Sequence, residues 1–217
     1  MTTLSEENYL KAIYHLGEQG VIAVSTNAIA EKIDSKASSV TDMVKKLADK
    51  NLVNYVKYQG VSLTHQGRLA AALVVRKHRL WEVFLVEKLN FSWDEVHDVA
   101  EQLEHIKSLK LVNELEAFLE YPTHDPHGDP IPDKDGNYPL TKSVNVLDME
   151  RGNEGVLSLV NDSSDIFLKY LNKNNLALGD TIKILDFEPF DDSVTIQTKN
   201  KQIIISKDVA KNLYLSQ

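Results

Sequence analysis

Residues 26–63 read TNAIAEKIDSKASSVTDMVKKLADKNLVNYVKYQGVSL. The stretch changes its apolar periodicity once, and that change decides the fold. Ala28, Ile29, Ala30 and Ile33 recur at helical spacing in a short helix over 26–33, and Val40, Met43, Val44 and Leu47 do so in a second over 37–50. Asp34-Ser35-Lys36 supplies the turn between them. From Leu52 to Leu63 β-branched and aromatic residues alternate around Gly60, the pattern of a two-stranded hairpin. Upstream, Ser5 opens a helical pattern with Leu10, Ile13, Tyr14 and Leu16 that stops at Gly17 to Gly20. Three helices and a hairpin in this order make a winged helix-turn-helix over residues 1–63.

The third of these helices would present Ser38, Ser39, Thr41, Asp42, Lys45 and Lys46, with Lys36 in the turn before it. Small hydroxyl side chains near a helix start admit phosphates and base edges, and lysines add attraction that ignores sequence. The bland alternative is a solvated helix face. The preceding helix, the short turn and the hairpin favour DNA, with Lys57 near the wing tip as a backbone contact. A net charge of -8 argues against a polyanionic partner only until its distribution is considered. Residues 1–63 balance seven lysines with seven acids, and residues 64–80 add Arg68, Arg76, Lys77 and Arg79 without an acid. The excess acid lies further along the chain, so the N-terminal third is free to approach nucleic acid.

Thr64 can cap a helix that continues to Leu89, and Ser92-Trp93-Asp94-Glu95 is a capping box opening a helix that holds His97 to His105. Ser108 starts another, with Leu111, Leu115, Phe118 and Leu119 on one side. Helices placed like this beyond a DNA-binding head commonly serve dimerisation, so residues 64–140 are expected to form a helical metal-binding and dimerisation domain. Residues 121–139 hold Pro122, Pro126, Pro130, Pro132 and Pro139, a stiff connection. Short strands are then predicted over 156–160, 181–187, 193–198 and 202–206, with one helix over 165–171. They suggest a small barrel over 141–217. The expected class is mainly α with a small β domain.

The chain has no cysteine, which excludes disulfides, thiolate metal sites and thiol catalysis. No apolar run approaches the length of a membrane span, and no basic-then-apolar leader is evident, so a cytoplasmic protein without a membrane partner is expected.

Between Arg76 and His105, six potential metal ligands stand at helical spacing: His78 and Glu82, then His97, Glu101, Glu104 and His105. Residues three and four apart on a helix share a face, so each set projects together. Imidazoles and carboxylates without a thiolate suit a divalent transition metal. Surface ion pairs are the alternative for any single pair, which leaves a metal-independent winged-helix regulator with a structural His/Glu cluster as a rival. A di-metal hydrolase with a DNA-binding head is a second rival, but no nucleophile or small-molecule substrate pocket is evident and no enzyme is expected.

The winged helix, Arg76-Lys77-His78-Arg79, His97-x-x-x-Glu101-x-x-Glu104-His105, Pro126-His127-Gly128-x-Pro130-Ile131-Pro132 and the C-terminal barrel together resemble the diphtheria toxin repressor family of metal-dependent transcription regulators. The resemblance spans essentially the whole chain and includes an SH3-like (FeoA-like) third domain. It implies a homodimeric repressor of manganese or iron homeostasis that binds a palindromic double-stranded operator when a divalent metal is bound. A primary site is implied at Asn8, Glu101, Glu104 and His105, and an ancillary site at His78, Glu82 and His97 with one or two third-domain ligands, of which Asp162 or Asp165 is the acid. Arg79 matches an arginine that can hold an anion. Glu101 stands where the iron-responsive branch has cysteine, so hard ligands favour Mn(II), with Fe(II) compatible and Co(II), Ni(II) or Zn(II) as surrogates. Asn8 occupies a position filled by Met or Asp in relatives, and its neutral amide oxygen is an acceptable but weaker ligand. Lys11 replaces a carboxylate of the short manganese regulators. Asp125 stands where cysteine is usual, and His124 and His127 read as structural.

Overall fold

The computed structural model describes residues 2–140, 142–199 and 201–216. Thr141 and Gln217, the ends of the expected third domain, lie outside the described residues. The chain divides into two compact units, one of Met1–His78, Glu101–Asn113 and Pro132–Tyr138, the other of Arg79–Ala100, Glu114–Ile131 and Pro139–Gln217.

In the first unit, α1 spans Leu4–Leu16. Its cap is Thr3, not the expected Ser5. The Thr3 hydroxyl accepts from the Glu6 amide at 3.3 Å while the Glu6 carboxylate accepts from the Thr3 amide at 3.0 Å. This reciprocal box needs an acid three residues on, which Thr3 has and Ser5 lacks. Helix α2 (Thr26–Lys32) is capped by Ser25, and α3 (Ala37–Asp49) follows the turn. Strands β1 (Val53–Val56) and β2 (Gly60–Leu63) pair antiparallel with Val53 opposite Leu63, and Val24 bridges to Val61 on the far side of β2. Leu10, Ile13, Ile29, Val40, Val44, Leu47 and Val61 are fully buried in one core that ties the three helices to the hairpin.

Helix α4 (His65–Leu89) opens on Thr64, whose hydroxyl accepts from the Gly67 amide at 3.0 Å. Its residues divide between the units after His78. The Ser92 amide bonds the Glu95 carboxylate at 3.1 Å and α5 spans Val96–Leu103. The helix expected to carry His97 through His105 therefore ends sooner. The Ile106 amide turns back to the Leu103 carbonyl, and Ser108 caps α6 (Leu109–Phe118), so Glu104 and His105 sit in the turn between.

The second unit contains a six-stranded antiparallel sheet in the order β3-β8-β4-β5-β6-β7. Strands β4 (Glu154–Val160), β5 (Thr181–Phe187), β6 (Val194–Thr198) and β7 (Lys201–Ile205) match the expected strands to within two residues, and α7 spans Asp165–Lys173. Two short strands, β3 (Ser143–Asn145) and β8 (Leu213–Ser216), were not expected, nor was α8 (Lys207–Ala210). Register shifts between Leu157 and Leu159 in β4 and between Ile184 and Asp186 in β5 bend the strands as bulges do. Leu157, Leu168, Leu171, Ile182, Ile196 and Leu213 form the core of this SH3-like sheet. The Pro126-His127-Gly128 loop docks on β4: the Val160 amide bonds the His127 carbonyl at 3.0 Å. Gly128 is required there, because at φ +87 a Cβ would stand 2.0 Å from the Ser158 carbonyl oxygen. No described helix is long and apolar enough to cross a membrane.

Candidate metal centre and DNA-binding face

In the first unit the turn after α5 brings Glu104 and His105 against α1. Glu104 is fully buried, with Lys11 Nζ 2.8 and 2.7 Å from its two carboxylate oxygens and His78 Nδ1 2.7 Å from Oε2. Lys11 also reaches Glu101 at 3.2 Å. Burial pushes the Glu104 carboxyl upward, but the His78 hydrogen bond and the Lys11 charge outweigh it and hold the group below the usual carboxylate range. His105 stands between two acids. Its Nδ1 lies 2.8 Å from Glu7 Oε2 and its Nε2 lies 3.6 Å from Glu104 Oε1. Glu7 accepts from the Thr2 hydroxyl at 2.9 Å and faces Lys77 at 3.8 Å.

The residues expected at the primary site thus divide. Glu101 and Glu104 share Lys11, His105 approaches Glu104, and His78, expected at the ancillary site, bonds Glu104. Asn8 is exposed on α1, three residues before Lys11 and so on the same helical face. The geometry adds Glu7, which the sequence reading passed over, and places Lys11 among the acids.

The donors suit a divalent cation. Lys11 touches Glu101 and Glu104, and His78 and His105 each approach Glu104, so carboxylate and imidazole donors lie near a charge that the fold already stabilises, the Lys11 ammonium.

In the second unit Glu82 is buried on α4, one helical turn after His78. His97 Nδ1 lies 3.5 Å from Glu82 Oε1, and His127 Nδ1 lies 3.8 Å from Glu82 Oε2. His127 Nε2 donates to the Trp93 carbonyl at 2.8 Å, and its ring stacks on the Trp93 indole. Asp125 Oδ1 accepts from the His127 and Asp129 amides at 2.8 and 3.0 Å. Glu82, Asp125 and His127 form a buried group whose ligand atoms lie within 4.8 Å of one another. Burial pushes the Asp125 carboxyl up. Burial alone would lower His127, but the Glu82 hydrogen bond and the Asp125 charge raise it to about 9. Arg79, expected to hold an anion, faces Asp129 at 3.0 Å and Asp125 at 3.4 Å and bonds the Pro130 carbonyl. Asp162 Oδ1 accepts from the Ser164 amide at 2.9 Å. Ser164 caps α7, so Asp165 is not the cap and pairs with Lys169 at 3.2 Å instead.

On α3, Lys36, Ser38, Ser39, Asp42, Lys45 and Lys46 are exposed and Thr41 is half-buried. Thr41 bonds back to the Ala37 carbonyl, and Lys46 pairs with Glu6 at 2.9 Å. Lys57 is exposed at the wing tip, its ammonium 4.9 Å from the Tyr58 ring centre. A groove of about 490 Å³ between the start of α2 and the wing is lined by Ser25, Thr26, Tyr55, Lys57 and Gly60, with Thr41 from α3.

Residues 1–61 match the iron-dependent repressor N-terminal DNA-binding domain, residues 64–133 its metal-binding and dimerisation domain, and residues 144–217 the FeoA domain. A solved structure of a manganese-dependent transcriptional repressor in complex with manganese is 33% identical, with a TM-score of 0.87 over 97% of this chain and 98% of that one. The chain belongs to the diphtheria toxin repressor family. The diphtheria toxin repressor of Corynebacterium diphtheriae itself is 27% identical over 97% of this chain and 96% of its own length. The iron-dependent repressor IdeR of Mycobacterium bovis is 37% identical over 126 residues, 58% of this chain and 54% of that protein, so this match spans about half of the relative. Members of the diphtheria toxin repressor family are transcriptional repressors rather than enzymes.

Proposed function

We propose that this chain is a metal-activated DNA-binding repressor of manganese or iron homeostasis. The observation that carries the reading is the convergence of Glu101, Glu104 and His105 on α1, the first helix of the winged head, through Lys11 and Glu7. A divalent ion there would supply a doubly charged cross-link between the turn after α5 and α1. Glu101, Glu104 and His105 would hold it, with Asn8 offering an amide oxygen from α1. An all oxygen and nitrogen donor set suits Mn(II), and Fe(II) is compatible with the same atoms. Zn(II), Co(II) and Ni(II) serve as surrogates in the test tube.

The residues of α1 do the transmitting. Glu7 orients His105 from one side, and Lys11 faces Glu101 and Glu104 from the other, so the centre biases the position of α1 and with it the head. A metal that prefers one arrangement shifts the population toward it, which is what an allosteric activator does. Two heads of a homodimer would then present α3 to successive major-groove half-sites of a palindromic operator in the cytoplasm. Lys36, Ser38, Ser39, Thr41, Asp42, Lys45 and Lys46 form the reading face, with Lys57 on the phosphates. In the ancillary site Glu82 and His97 would act with His78, with Asp162 as acidic ligand. We read the chain as three domains, 1–63, 64–140 and 141–217.

A gel-shift titration on a palindromic operator tests the proposal. Mn(II) is expected to induce binding in the native protein and not in Glu104→Gln. Tight operator binding that survives complete chelation overturns it.

A further inference from the structure

The geometry points to Lys11 as a built-in competitor that sets the metal threshold of the Glu101–Glu104–His105 centre; the inference rests on the metal-centre reading given above. The Lys11 ammonium lies 2.8 and 2.7 Å from the two oxygens of Glu104 and 3.2 Å from Glu101 Oε1. It holds both oxygens of the buried acid at once. The second of these oxygens also receives His78 at 2.7 Å. Every atom through which Glu104 could ligate a metal is therefore already in contact with a cationic donor.

A carboxylate oxygen bound to a divalent metal sits about 2.1 Å from it. The ammonium cannot remain at hydrogen-bond distance from that same carboxylate without lying within a few ångströms of a doubly charged ion. Metal and Lys11 therefore compete for the same oxygens. The lysine has a way out: its side chain is 14% exposed, and its flexible stem can carry the ammonium to solvent. It has no acidic refuge on α1 of comparable quality, because Glu7 is engaged by His105 and Lys77.

Lys11 would therefore do two things. It cancels the repulsion between Glu101 and Glu104, keeping the donors together and α1 tethered by a single charge. It also sets a fixed penalty against every divalent cation, so that only an ion regaining interaction energy from the His105 imidazole as well as the carboxylates displaces it. Mn(II) and Fe(II) meet that condition better than Mg(II) or Ca(II), which favour oxygen.

The experiment is a set of Mn(II) titrations on the full chain, with free ion followed by electron paramagnetic resonance. Lys11→Gln removes the charge and keeps much of the length. It is expected to bind Mn(II) about tenfold more tightly or better, the scale of one charge-assisted hydrogen bond no longer broken. Lys11→Arg keeps the cation and is expected to bind no more tightly than the native chain. An unchanged or weaker affinity in Lys11→Gln overturns the proposal. Glu104→Gln separates the two readings. If it binds Mn(II) as the native chain does, the metal centre itself is wrongly placed; if it loses binding while Lys11→Gln gains nothing, only the competitor role fails. A second measurement avoids variants: reductive methylation of Lys11 in the native protein, read by mass spectrometry, should accelerate when Zn(II) saturates the centre. A rate that stays constant or falls overturns expulsion of the lysine.

Discussion

His105 illustrates how one side chain is prepared for a task by a residue far away in the chain. Its Nδ1 faces the Glu7 carboxylate at 2.8 Å, which fixes the proton on that nitrogen and turns Nε2 toward Glu104. Histidines that ligate metals commonly donate their other N–H to such an acid, and losing the acid costs about 10–100-fold in affinity. Glu7→Ala should therefore weaken Mn(II) binding by about that factor, with Glu7→Gln intermediate because its amide oxygen can still accept. Calorimetric titration of the two variants checks this, and equal affinity in Glu7→Ala and the native chain would remove Glu7 from the centre. The acids and imidazoles of residues 97–105 were legible because their spacing repeats on a helical face. Glu7 was not, since its partner lies 98 positions away and no local pattern joins them. Asn8 was read as the α1 ligand from the family's position; it is exposed on α1, beside the buried Glu7.

At the scale of elements, Glu6 joins α1 to α3. Its buried carboxylate completes the α1 cap with Thr3 and pairs with Lys46 at 2.9 Å and Lys50 at 2.8 Å, both from the C-terminal end of α3. Burial pushes its pKa up, but the hydrogen bonds from Lys50, the Thr3 backbone and Lys46 outweigh this and bring it from 4.5 to about 2. A carboxyl depressed on folding contributes stability that is present above its unfolded value and lost as pH falls through the folded one. The native protein should lose this contribution between pH 4.5 and about 2, whereas Glu6→Gln should lack it throughout. At neutral pH that variant should be destabilised by about 2 kcal/mol, the worth of a charge-assisted bond at a buried acid, as denaturant midpoints would record. A native-like midpoint in Glu6→Gln would show that the lysines do not depend on it. On the wing, Lys57→Ala should weaken operator binding irrespective of sequence and lower the slope of log affinity against log salt by about 1. A loss confined to one base position would instead make Lys57 a reader of bases. Most elements were legible: Ser92–Glu95 and Ser108 announced α5 and α6, and alternation announced β4 to β7. The misses have local causes. Helix α5 ends at Leu103 because a turn and a new cap follow within five residues, and β3 and β8 span three and four residues, too short to show a period.

For the molecule as a whole, the chain packs as two compact units. One 25-residue helix, α4, serves both units, and its even apolar pattern carries no mark at His78 where they part. The charge distribution was legible from the sequence: the head is balanced and the excess acid lies in the remainder, which leaves α3 and the wing as the face proposed to meet a polyanion. Where metal binding should be felt follows from the same division. Glu101, Glu104, His105, His78 and α1 all belong to the first unit, while the sheet of β3 to β8 belongs to the second. A ligand that binds only the folded form stabilises it in proportion to its saturation, by about 2.7 kcal/mol at a hundred times Kd. That stabilisation reaches only those amides whose exchange requires the site to open. Hydrogen exchange in saturating Mn(II) should therefore slow the amides of α1 and of residues 101–105, by up to about 100-fold at that concentration. The central amides of β5 and β6 should change far less, and Glu104→Gln should abolish the difference in α1. Uniform slowing across both units would mean that the chain opens as one cooperative body, and protection confined to β5 and β6 would place the principal metal elsewhere.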